Sequence, residues 1–132
     1  MTISDSEILA TMFRCETLGQ SYAQAALSMG TTRSSVGGIV KRCRDARPQI
    51  EARRLLDHEI KDILDRMFFG GNQAESIAKV FAISRMAILY LVWWVMHDLS
   101  NAGPEQVLDP ANAEVIDWPL WWRRARAGEV AA

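Results

Sequence analysis

Four residues that would shape a tight corner between two helices occur twice in this chain at one constant spacing. Ala26, Gly30, Val36 and Ile39 recur as Ala78, Ala82, Ile88 and Leu91, each 52 residues later. Gly19 recurs as Gly71 and Arg14 as Arg66 in the same register. The order demanded is a small residue where two helices touch, a Gly or small residue in the turn, and two branched residues on the buried side of the second helix. That is the packing pattern of a helix-turn-helix. A repeated supersecondary unit limits the architecture more tightly than composition does, because each copy must bury the same faces.

The rest of the chain is helical in period. Ser4 or Asp5 is placed to cap a first helix carrying Ile8, Leu9, Met12, Phe13 and Cys15, ending near Gly19. Ser21 caps a second, Tyr22 to Met29, closed by Gly30. Thr31 or Thr32 opens a third that runs to about Ala46, where Pro48 stops it. The spacing predicts a fourth helix over Gln49–Phe69, striped by Leu55, Leu56, Ile60, Ile63, Leu64 and Met67. Asn72 caps a fifth, Gln73 to Phe81. Ser84 opens a sixth, which ends at Gly103–Pro104. Short helices are expected after Asp109–Pro110 and around Trp118–Arg126. The fold expected is all-α: two tandem trihelical helix-turn-helix-like units, residues 1–48 and 49–103, and a helical C-terminal tail, residues 104–132.

Apolar residues make up 49% of the 132, enough for a core, so wholesale disorder is excluded. The greasiest stretch, Met86–Met96, is eleven residues long where a membrane span needs about 20. With no leader-like N-terminus, the expectation is a soluble, cytoplasmic, nucleoid-associated protein without membrane contact. Cys15 and Cys43 are too few for a zinc finger and fall on apolar stripes. His58 reads as a solvated face residue and His97 as a helix-end residue. Neither histidine pairs in sequence with a nucleophile or with metal-ligand spacing, and Gly37–Gly38 lies inside a helix rather than in a phosphate loop, so neither an enzyme, a metal nor a cofactor is expected.

Charge is informative only by segment. The net value of -1 excludes a protein that coats DNA by bulk charge. Residues 32–54 nevertheless hold Arg33, Lys41, Arg42, Arg44, Arg47, Arg53 and Arg54 against Asp45 and Glu51, a local excess of +5. This excess falls on the third helix and just beyond it, where a recognition helix would lie. The DNA-facing set is accordingly Thr31, Thr32, Arg33, Ser34, Ser35, Gly38, Lys41, Arg42 and Arg44. Hydroxyls, guanidinium and ammonium groups bond phosphates and base edges. Arg33 is expected near base edges, with Lys41, Arg42 and Arg44 on phosphates. Gly37 and Gly38 weaken a free helix but allow close approach to a groove.

The second copy departs from this pattern. Its third helix carries Tyr90, Val92, Trp93, Trp94 and Met96 where the first has Arg and Gly. Such a face is not that of a groove reader; it packs on the first unit, on a second copy or on another protein. Only Ser84 and Arg85, at the helix start, retain phosphate-binding chemistry. In the tail, Trp118, Trp121 and Trp122 beside Arg123, Arg124 and Arg126 are either a hot spot for a partner or a cover for the core. The protein-interaction set is Trp93, Trp94, Trp118, Trp121, Trp122, Arg123 and Arg124.

At TTRSSVGGIVKRCR the chain resembles GcrA-type cell-cycle regulators, in which a similar recognition helix follows the turn. By its two-unit layout it also resembles transcription activators of phage or gene-transfer-agent clusters. The resemblance implies a sequence-specific transcriptional regulator of double-stranded DNA. In it Thr32, Arg33, Ser34 and Lys41 would face DNA, and the second unit and tail would contact RNA polymerase or a sigma factor, or form a homodimer. Two other functions fit the same residues: a phage-type small terminase subunit for DNA packaging, and a protein-interaction module without DNA binding.

Overall fold

Helix caps, more than apolar stripes, account for the helix boundaries observed. The structure is a computed structural model describing residues 3–70 and 73–102, and among these residues it is all-α with no strand. α1, Asp5–Met12, starts where the Ser4 hydroxyl accepts from the Glu7 N–H. It continues into a π-helical turn, Phe13–Thr17, before Gly19 turns the chain at φ 71°. α2, Tyr22–Met29, opens with a reciprocal capping box between Ser21 and Gln24. α3 spans Arg33–Asp45 and α4 spans Arg47–Arg53. Pro48 lies in the first turn of α4, where its missing N–H leaves no bond unmade.

The continuous helix expected over Gln49–Phe69 is broken. Arg54 adopts φ 51°, and α5 begins only at Asp57 and runs to Phe68. Glu59 holds the new start: its carboxylate accepts from the Leu56 N–H and from Arg53. The break turns Ile63 and Leu64 into the core and leaves Leu56, assigned to the inner stripe, 59% exposed. α6 is Ala74–Phe81 and α7 is Arg85–Ala102. The tail beyond residue 102, with its expected helices, lies outside the described residues.

The 52-residue repeat extends from side chains to backbone. α2 and α6 share bounds in that register, and α1 and α5 start at Asp5 and Asp57. Gly30 and Ala82 both end their helices in the left-handed region, at φ 66° and 56°. The amides that follow, Thr31 and Ile83, bond back to Ala26 and Ala78 at 3.0 and 3.1 Å. Thr32 and Ser84 then cap the next helix, accepting from Ser35 and Ala87.

The two copies share one core. Ile8, Leu9, Met12, Phe13, Ile39, Val40 and Cys43 from the first pack in one cluster with Ile63, Leu64, Phe68, Ile77 and Phe81 from the second. α7 joins them: it packs on α1, α3, α4, α5, α6 and the π turn, and Ile88, Leu89, Val92 and Met96 are completely buried. Of the three coverings open to its apolar face, the described part of α7 uses the first unit. Among the described residues no single helix is long and apolar enough to cross a membrane. The pair α6–α7 has the composition but bends by 101°.

Candidate nucleic-acid interface

α3 divides cleanly into two faces. Val36, Ile39, Val40 and Cys43 are buried, whereas Thr32, Arg33, Ser34, Ser35, Lys41, Arg42 and Arg44 are exposed, as is Thr31 in the turn before them. Ala25, Ala26 and Val36 form the small contact that joins α2 to α3. Thirteen residues give the helix a length of about 20 Å. Thr32 and Ser35 bond one another at 3.0 Å, so their hydroxyls are committed first to the cap.

The two glycines differ. A Cβ on Gly37 would meet the Tyr22 ring at 3.4 Å, so this glycine faces α2 and not outward as its place in the sequence suggested. Gly38 is open, with only the Arg42 guanidinium at 3.9 Å, and Arg42 Nε donates to the Gly38 carbonyl at 3.2 Å.

The basic segment is partly paired within the chain. Arg44 bonds Glu16, Arg47 bonds Glu51 at 2.7 Å, and Arg53 bonds Glu59 at 3.2 Å. Glu16 and Glu59 lie outside residues 32–54, so a count by segment could not register them. Arg33, Lys41, Arg42 and Arg54 make no ion pair among the described residues. The paired arginines remain at least 39% exposed, and such surface pairs contribute about 0–1 kcal/mol, little enough to exchange for a phosphate.

The corresponding corner of the second copy is closed. Ser84 caps α7, and Arg85 donates from Nε to Asp5 Oδ1 at 3.0 Å and from Nη2 to the Ile3 carbonyl at 2.6 Å. Asp5 Oδ2 also accepts from the Ala74 N–H at 2.8 Å, the first amide of α6. No spacing in the sequence points to this cluster, since nothing local links residues 5, 74 and 85.

Trp93 and Trp94, both expected on a partner surface, separate. Trp93 is 7% exposed and its indole N–H donates to Thr17 Oγ1 at 3.1 Å, while its ring stacks on His97 at 5.1 Å. Thr17 Oγ1 lies 2.9 Å from His97 Nδ1, so His97 belongs to a packed cluster inside α7 rather than to a helix end. Trp94, one residue on, is 46% exposed. Trp118, Trp121, Trp122, Arg123 and Arg124 lie outside the described residues.

Burial pushes the Cys43 thiol up to about 12 and raises that of Cys15, which disfavours the thiolate form of both. Among the described residues no three His, Cys, Asp or Glu side chains gather as metal ligands. No family model, curated protein or solved structure matches the chain.

Proposed function

We propose that the chain is a sequence-specific DNA-binding regulator of transcription that lays α3 in a major groove. The observation that carries this reading is the two-faced character of α3: an apolar side sealed against α1, α2 and α7, and an outer side of hydroxyls and cations with Gly38 open between them. A helix of this size fits the groove, whose edges offer the acceptors that such groups bond. Lys41 and Arg42, without ion pairs among the described residues, are the phosphate contacts; Ser34 and Thr31 supply short-range hydrogen bonds. Contact with RNA polymerase or a sigma factor, where the second copy makes it, runs through Trp94 and not through the buried Trp93.

The test is a salt-titrated binding measurement on genomic DNA fragments. The wild-type chain is expected to prefer particular fragments. Lys41→Ala should weaken all of them alike and make the slope of log K against log salt shallower by about 1. No binding to any fragment at low salt would refute the reading.

A further inference from the structure

Arg14 is a cation enclosed by the protein. It is 4% exposed, its Nε is buried with no hydrogen-bond partner, and no ion pair reaches its guanidinium among the described residues. A guanidinium does not shed its charge in a protein, and a buried charge left uncompensated is costly. The acid nearest in sequence, Glu16, is bonded to Arg44.

The 52-residue repeat shows how the same side chain is satisfied elsewhere. Arg66, the counterpart of Arg14, donates from Nε to Asp62 Oδ1 at 3.0 Å. The position that matches Asp62 in the first copy is Ala10, which offers no carboxylate. The backbone departs from the repeat at the same place. Arg66 lies in the regular helix α5, whereas Arg14 lies in the π-helical turn Phe13–Thr17. A second orphan belongs to the same turn of chain: Gln20 Oε1 is also buried without a partner, and the Gln20 N–H donates to the Arg14 carbonyl at 2.9 Å. Gln20 is half-buried and follows the exposed Gly19, so a small ion has a short path from solvent.

We infer that Arg14 and Gln20 form an internal site for one small oxyanion that carries its own hydroxyl, of which hydrogenphosphate is the simplest. The ionised oxygen accepts from Arg14 Nε, and the hydroxyl donates to Gln20 Oε1. A fully ionised anion such as sulfate has no proton to donate and would leave the Gln20 oxygen unsatisfied beside it. The occupant is a free ion, because a guanidinium this buried is out of reach of a phosphate fixed in a duplex. The site is therefore separate from the outer face of α3 and does not rest on the DNA-binding reading. The π turn packs on α2 as well as on α7, so the bound ion braces α2 against the shared core.

The test is calorimetric titration of the full chain at neutral pH and fixed ionic strength, with sodium phosphate and separately with sodium sulfate. Wild type should bind phosphate saturably, one ion per chain, and sulfate about tenfold more weakly or less. Two variants locate the ion. Arg14→Met removes the charge and keeps an apolar stem, and Ala10→Asp supplies the carboxylate that Asp62 gives to Arg66. Each should abolish saturable phosphate binding. No saturable phosphate binding to wild type, equal binding of sulfate, or phosphate binding retained in either variant would overturn the site. Should Arg14→Met not fold, Ala10→Asp decides, since it leaves Arg14 in place; should neither fold, the wild-type comparison of phosphate with sulfate decides.

Discussion

Ala82 holds φ 56° where its repeat counterpart Gly30 holds φ 66°, and the two positions respond in opposite directions to exchange. A Cβ at Gly30 meets nothing within 4 Å, so Gly30→Ala carries only the strain of a left-handed L-residue. It should lower stability by about 1 kcal/mol, and Ala82→Gly should raise it by about 0.5–1 kcal/mol, both read by urea unfolding. Cys43 gives a pH signature. Its folded pKa of about 12 exceeds the ordinary 9.0, so the thiol stays protonated in the folded chain while the unfolded chain ionises first. Its contribution is therefore complete below pH 9 and is lost as pH rises from 9 towards 12, at up to about 1.4 kcal/mol per pH unit. Cys43→Val should flatten that alkaline limb relative to wild type in unfolding series above pH 9. Both residues were legible locally: Gly30 by its place in the turn, Cys43 by its apolar spacing. The carboxylate of Asp5 was not, because its partners are 69 and 80 residues away.

α7 shows how one element carries two fates in adjacent residues. Trp93→Ala should cost about 3–5 kcal/mol, since a large buried ring and its hydrogen bond to Thr17 are lost together. Trp94→Ala, which loses a half-exposed ring with contacts to Trp93 and His97, should cost less, about 1 kcal/mol. Thermal unfolding of the two variants checks this difference. An apolar run without a polar side cannot show from its period which residue faces in, so neighbours alone separate these two. The opposite holds for α3, whose inner residues Val36, Ile39 and Cys43 were readable because its outer face is polar. The α4–α5 break escaped the period for a third reason. Its helical stripe runs on through Leu55 and Leu56, and only the left-handed Arg54 and the Glu59 cap interrupt it.

Across the whole molecule, one core joins both copies, and the expected outcome is a single cooperative unfolding transition. The calorimetric and van't Hoff enthalpies of unfolding should then agree, since α7 packs against elements of both copies. Residues 1–48 alone should show little helix by circular dichroism, because α1 and α3 pack on α7 and share one core with it in the intact chain. Two stepped transitions would contradict the shared core. The sequence by itself determined the helical class, the two corners, most caps and the polar face of α3, because these depend on contacts within a few residues or on one helical period. Only the tertiary structure decided that Trp93 lies inside, that Gly37 faces Tyr22, that Arg44 pairs with Glu16 and that Arg85 is held by Asp5. Each of these depends on which distant side chain arrives alongside, and a linear pattern carries no record of that.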